Sequence, residues 1–277
     1  MTQGLVVEGL HKRYGEHTAV DGVSFSLPSG GSLAIVGESG SGKTTTVRVL
    51  VGLERADGGT VRLDGRDRSA RARGRAERLS RAREIQMVFQ DPYLSLDPRV
   101  TVSGCLDEVL RLHTDLDAAA RRDRVAGHLD QVGLGTREAA ALPRDLSGGQ
   151  RQRVAIARAL AVEPRVLVLD EAVAALDVSI QAQILELLRE IRREAGVGFL
   201  FVTHDLAVVR HIADEVLVLK SGRLMESGPV DRVLDAPEHP YTRLLLNSVP
   251  RRGSPMGGRG RGPHCGQEPV GRRPPVR

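Results

Sequence analysis

Residues 32–44 read Ser32-Leu33-Ala34-Ile35-Val36-Gly37-Glu38-Ser39-Gly40-Ser41-Gly42-Lys43-Thr44. The apolar run Ser32–Val36 has the length of a buried strand, and Gly37–Thr44 fits the spacing G-x-x-x-x-G-K-[ST]. A helical pattern follows from Gly42 to about Gly52. Strand, glycine-rich turn and helix, in that order, are what a phosphate-binding loop requires. Glycines let backbone N–H groups turn inward around phosphate oxygens, and the helix start adds positive potential. Lys43 is expected to reach the β- and γ-phosphates, and the Thr44 hydroxyl to ligate Mg²⁺. Gly37, Glu38, Ser39, Gly40, Ser41, Gly42 and Thr45 complete the expected cradle. The pattern implies a nucleoside triphosphate site but leaves the reaction open, because kinases, GTPases and ATPases share it.

Outward from this loop, strand and helix patterns alternate. Ile85–Phe89, Arg165–Asp170, Val197–Thr203 and Glu215–Leu219 read as strands. Gly148–Val162 and Ile180–Glu194 read as helices, and the stretch from about Val100 to Ala141 reads as mainly helical. The expected fold is therefore α/β with a mostly parallel core sheet. Leu5–Leu27 reads as short strands broken by turns, suiting an antiparallel β-subdomain, and the helical block, about 91–162, as an inserted subdomain. Arg66–Arg83 holds eight Arg and few apolar residues, so a solvated face or flexible loop is expected.

The 277 residues carry a net charge of +5, which misleads as a whole-chain figure. Residues 251–277 hold seven Arg and one Glu, leaving the first 250 with 33 basic and 34 acidic groups. The folded part is near neutral, so the charge balance gives no support for a nucleic-acid partner. The 251–277 segment has seven Gly and five Pro and cannot bury a core, so a disordered tail is expected after a folded unit of 4–250. A solvated tail is favoured over one that touches anionic lipid. Cys105 and Cys265 make no metal-ligand spacing and read as free thiols. No stretch reaches the roughly 18 apolar residues of a membrane span. Met1–Gly15 lacks the apolar core of a signal segment, so a cytosolic chain with peripheral membrane contact is expected.

Asp170 ends an apolar strand, where it can hold the Mg²⁺ shell. Glu171 follows and can orient or deprotonate an attacking water. Taken alone, the pair could equally cap the next helix. Leu146-Ser147-Gly148-Gly149-Gln150 precedes the basic helix Arg151–Leu160. A serine and two glycines at a helix start offer a hydroxyl and free N–H groups to an anion, so a second phosphate partner is implied. This segment resembles the signature motif of ABC ATPases. The resemblance extends over nearly all of 4–250 and rests on the shared order of several motifs.

The resemblance implies an ABC ATPase fold of the phosphate-loop NTPase class, with ATP and Mg²⁺ as cofactors. It implies that Ser147, Gly148, Gly149 and Gln150 face the nucleotide of an opposite subunit in a head-to-tail dimer. Tyr14 matches the aromatic that stacks on adenine. Gln90, in Met87-Val88-Phe89-Gln90-Asp91-Pro92, matches the glutamine that contacts Mg²⁺ or water. His204, in Thr203-His204-Asp205, matches the histidine that hydrogen-bonds the γ-phosphate. Ala172-Val173-Ala174-Ala175-Leu176-Asp177 departs from the family's usual Pro-Thr-Ser-Ala-Leu-Asp, and the lost hydroxyl at Ala174 removes a polar contact near the interface.

Two further segments are similar to dipeptide, oligopeptide and nickel importers: Gln90–Arg99 and His239-Pro240-Tyr241-Thr242-Arg243-Leu244-Leu245. The implied function is an ATP-hydrolysing subunit that energises an importer from the cytoplasmic face of the membrane. Its implied partners are a second ATPase, identical or not, transmembrane permease subunits, and a solute-binding protein indirectly. Nucleic acid is not expected. The alternatives are a weakly hydrolysing regulatory partner, supported by the Ala172–Ala174 departure, and a soluble ABC ATPase outside transport.

Overall fold

The computed structural model describes residues 4–91 and 95–248. The tail expected at 251–277, with Cys265, and residues Pro92, Tyr93 and Leu94 lie outside the described residues. Two sheets form the frame. The first is antiparallel, in the order β2-β1-β4-β5, from β1 (Leu5–Tyr14), β2 (His17–Leu27), β4 (Gly58–Leu63) and β5 (Arg66–Asp67). The second runs β10-β9-β3-β8-β7-β6, from β3 (Ser32–Val36), β6 (Ile85–Val88), β7 (Val166–Asp170), β8 (Gly198–Val202), β9 (Glu215–Lys220) and β10 (Arg223–Pro229). Strands β9, β3, β8, β7 and β6 are mutually parallel, and β10 turns back antiparallel on β9.

Period-two side-chain alternation splits the core. Leu33 and Ile35 of β3, with Val168 and Leu200, pack toward the antiparallel sheet and toward Val47 and Leu50 of α1 (Lys43–Leu50). Ala34 and Val36, with Leu167, Leu169, Phe199 and Phe201, face the opposite way into a helical layer. That layer contains α3 (Val102–His113), α4 (Ala118–Gln131), α5 (Thr136–Ala140), α6 (Gly148–Leu160), α7 (Val178–Ala195) and α8 (Leu206–Ile212). With both faces covered, the parallel strands read as continuous apolar runs rather than alternating ones. Two more helices, α9 (Val230–Asp235) and α10 (Pro240–Ser248), close the described chain.

The Arg66–Arg83 stretch is more ordered than a flexible loop. It contains β5 and most of α2 (Gly74–Glu84), a helix with no buried residue, so the solvated face holds and the loop does not. Glu77 accepts from the Arg73 backbone N–H and from Arg81, and Arg81 also reaches the carbonyls of Arg68 and Ala70. Arg68 pairs with Glu84. These charge-assisted contacts supply the order that apolar burial does not. The sixth strand ends at Val88 rather than Phe89, whose ring is exposed. The Cys105 thiol is free and buried in the helical core, and burial raises its pKa.

Candidate nucleotide site

Strands β3, β8, β7 and β6 are neighbours and parallel, so their carboxyl ends open on one edge of the sheet. In open α/β sheets, ligands bind at that edge. Here β3 delivers the phosphate loop, β7 delivers Asp170 and Glu171, β8 delivers His204, and β6 delivers Gln90. A cavity of about 880 Å³ is lined by Ser39, Gly40, Lys43, Thr44, Gln90, Asp170, Glu171 and His204. Arg48, Phe89, Asp91 and Ser95 line it as well and were not picked out from the sequence. Arg48 had a signal: it lies four residues beyond Thr44, on the same helix face.

The loop's glycines are required by its geometry. Gly37 has φ 152°, and a Cβ there would stand 2.2 Å from the Leu219 carbonyl oxygen. Gly42 caps α1 at φ 98°, and its Cβ would stand 2.4 Å from the Ala19 oxygen. The Lys43 ammonium folds over the loop and donates to the carbonyls of Gly37 and Glu38, at 2.8 Å each. Burial lowers the Lys43 pKa, against the opposing pull of the Glu171 and Asp170 carboxylates. Thr44 is exposed at the first turn of α1, while Ser41 is buried behind the loop.

Glu171 adopts φ 48°, a left-handed conformation that costs a non-glycine residue about 1–3 kcal/mol. Its N–H donates to the Val202 carbonyl at 2.8 Å, and its carbonyl accepts from Ala174 N at 3.0 Å, so β8 and the following turn hold the strained residue. Its Oε1 lies 3.1 Å from His204 Nδ1. Asp170 is half-buried, and burial, followed by the adjacent Glu171, raises its pKa above the ordinary 3.8, with Lys43 and Arg48 pulling the other way. The folded chain thus holds this proton more tightly than the unfolded chain. Ionised Asp170 costs stability above about pH 4, and the cost vanishes below that value. Asp170→Asn in metal-free protein is therefore expected to melt higher than wild type at pH 7. The gain should shrink as pH falls toward 3.8. Thermal melts across pH check this, and a lower melting point at pH 7 would contradict it.

The residues suit a triphosphate and a hard cation. A buried ammonium and positive-φ glycines form a backbone cradle, and a Cβ at Gly40 would meet nothing within 4 Å. Thr44, Asp170 and Gln90 offer only oxygen donors of the kind Mg²⁺ prefers. Among the described residues no cluster of three or more His, Cys, Asp or Glu could hold a metal by itself. Mg²⁺ itself takes one or two carboxylates, with phosphate oxygens and water completing its shell.

Tyr14 ends β1 and is 44% exposed, with its hydroxyl bonded to Glu54 and Lys12 Nζ 5.2 Å from the ring centroid. Burial and the Glu54 carboxylate raise its pKa, while the Thr45 hydroxyl and Arg48 lower it; Glu54 also pairs with Arg48 of α1 at 3.6 Å. The signature residues do not line the cavity. Ser147 caps α6: its Oγ accepts from Gln150 N at 3.2 Å, and Gln150 Oε1 accepts from Ser147 N at 2.9 Å. A Cβ on Gly149 would approach Ile180 Cγ2 to 2.6 Å, and one on Gly148 would sit 3.8 Å from Leu176. The Ala172–Asp177 segment and α7 therefore buttress the signature from behind. Ala172 and Val173 are buried there and Ala174 is exposed. On the other side of α6, Arg158 donates to the Ser95 carbonyl, tying that helix to the segment after Gln90.

This fold and site define a phosphate-loop nucleotide-binding ATPase. The family model for ABC transporters matches residues 20–174, and that for the C-terminal region of oligopeptide/dipeptide transporters matches 225–271. The chain is 44% identical to the di/tripeptide transport ATP-binding protein DppF of Pseudomonas aeruginosa, covering 88% of this chain and 75% of that one. It is 46% identical to the dipeptide transport ATP-binding protein DppF of Escherichia coli, covering 84% and 69%. A glutathione import ATP-binding protein, GsiA of Pectobacterium atrosepticum, is 49% identical over 84% of this chain, which spans only 37% of that longer protein. Among solved structures, cbiO1 from Clostridium perfringens superposes with TM-score 0.77 at 30% identity, covering 91% of this chain and 97% of that one. The dimeric, post-hydrolysis cassette MJ0796 bound to ADP and Pi superposes with TM-score 0.73 at 30% identity, covering 82% and 98%. The chain belongs to the ATP-binding subunits of the ABC transporter family.

Proposed function

We propose that this chain hydrolyses ATP to power a membrane importer of short peptides, working as one half of a head-to-tail ATPase dimer. The carrying observation is the meeting of the phosphate loop, Asp170, Glu171, His204 and Gln90 around one cavity that contains no signature residue. A site that ends on the phosphate loop side needs the signature helix start of another subunit. Ser147 and the Gly148 and Gly149 N–H groups would supply it, since a capped helix start is a ready anion site.

Within that reading, Lys43 binds the β- and γ-phosphates, and Tyr14 stacks on adenine from the edge of the antiparallel sheet. Thr44, Asp170 and Gln90 would hold Mg²⁺, which when bound neutralises phosphate charge. Glu171 orients the attacking water and takes its proton, and His204, oriented by Glu171, donates to the γ-phosphate. The unit that does this spans 4–250, with the helical insertion at about 91–162 carrying the signature. No helix among the described residues is long and apolar enough to cross a membrane. In this reading translocation belongs to permease subunits, and the chain docks peripherally on them at the cytoplasmic face. The peptide reading draws its support from the dipeptide-transport relatives and the match at 225–271.

Affinity purification of the chain from its own cells tests the reading. The expected result is recovery with membrane-spanning subunits and an ATPase that peptides stimulate in the presence of the binding protein. Recovery from the soluble fraction with nucleic acid, and without membrane subunits, would sink it.

A further inference from the structure

The segment His239-Pro240-Tyr241-Thr242-Arg243 reads from sequence as a turn and a surface helix. The structure builds it more deliberately. The Glu226 carboxylate on β10 accepts the N–H groups of Glu238 at 2.8 Å and His239 at 3.1 Å. His239 Nδ1 accepts from Tyr241 N at 3.1 Å, and Arg243 Nε donates to the Pro237 carbonyl at 2.9 Å. Pro240 opens α10, where its missing N–H is no loss. These contacts fix the first turn of α10 and drive the Tyr241 side chain inward, to 5% exposure.

Inside, Tyr241 meets the phosphate loop. Its hydroxyl oxygen accepts the Glu38 N–H at 3.4 Å, and Lys220 Nζ lies 4.5 Å from the ring centroid. Burial raises the phenol pKa, so the group stays a neutral hydroxyl. The bond falls on a particular peptide unit. The Gly37–Glu38 peptide has its carbonyl held by Lys43 at 2.8 Å and its N–H held by Tyr241. A phosphate that draws the Lys43 ammonium toward itself would weaken that carbonyl contact. The Tyr241 hydroxyl then remains to keep the plane from turning.

We propose that Tyr241 is a positioning residue for nucleotide binding: its hydroxyl locks the first peptide of the phosphate loop, so the C-terminal helix sets how tightly the loop holds phosphate. This rests on the ATPase reading above. It acts through the loop backbone and touches no phosphate. A net hydrogen bond of this kind corresponds to roughly 3- to 10-fold in affinity.

The test is Tyr241→Phe in the full chain, with Leu244→Ala, an exposed position on the same helix, as a matched control that leaves the hydroxyl and the contacts of the first turn in place. ADP binding by calorimetry and amide exchange at Glu38 in nucleotide-free protein are both read. Y241F is expected to weaken ADP binding about 3- to 10-fold and to speed Glu38 exchange similarly, with L244A near wild type on both. Equal effects in the two variants, or none in Y241F, would overturn the proposal by reducing Tyr241 to packing. If wild-type chain binds no ADP, the ATPase reading falls, and the Glu38 exchange comparison still decides the role of Tyr241.

Discussion

Glu171→Gln is expected to lower ATP turnover by about 100- to 10,000-fold, the usual worth of a positioned general base. The amide has nearly the shape of the carboxylate, so binding should stay within about twofold while the group that takes a proton from water is gone. The geometry makes Glu171 hard to replace. It sits at φ 48° after β7, pinned by its N–H to Val202, with Oε1 3.1 Å from His204 Nδ1. Asp170, the neighbouring carboxylate, is half-buried beside Lys43 and is assigned to the Mg²⁺ shell, so it does not stand in for Glu171. Steady-state phosphate release and ATP titration of the same preparation check the prediction. Unchanged turnover would remove Glu171 from the chemistry.

Lys43→Ala is expected to weaken ATP binding by about 30- to 5,000-fold, the cost of deleting one partner of a buried charge contact. The ammonium is buried, donates to the Gly37 and Glu38 carbonyls, and stands at the cavity floor with Asp170 and Glu171. Burial disfavours its charge in the free protein, so the charge serves the ligand more than the fold. The variant should keep a cooperative melt and lose the nucleotide, a split that calorimetry and thermal denaturation resolve. Wild-type affinity in K43A would mean that the backbone cradle alone carries the phosphates.

The central strands and the phosphate loop were legible because their signals are local. Ser32–Val36, Arg165–Asp170 and Glu215–Leu219 are apolar runs of strand length, and β3, β7 and β9 follow them within a residue. The edges were harder to read. β4 and β5 were missed although Asp64 and Gly65 make a turn with positive φ between them. β10, Arg223–Pro229, has no apolar run to mark it, and its register comes from pairing with β9. The helix α2 has no apolar face to detect and exists through the arginine contacts of Arg68 and Arg81.

By itself the sequence determined the residue types and their order: a glycine-rich turn before Lys43, an Asp-Glu pair after an apolar strand, and Ser147 before paired glycines. These are properties of a few consecutive residues, since backbone φ and capping are settled within a turn or two. Only the tertiary structure decided which of them meet. Sheet order sets Asp170, His204 and Gln90 beside Lys43, leaves the Ser147 helix start out of that cavity, and brings Arg48 and Phe89 in. It also carries Tyr241 to the Glu38 N–H across 203 residues. Contacts of that span depend on which strands pair and which faces pack, and many side chains satisfy a turn or a helix equally well before packing selects among them.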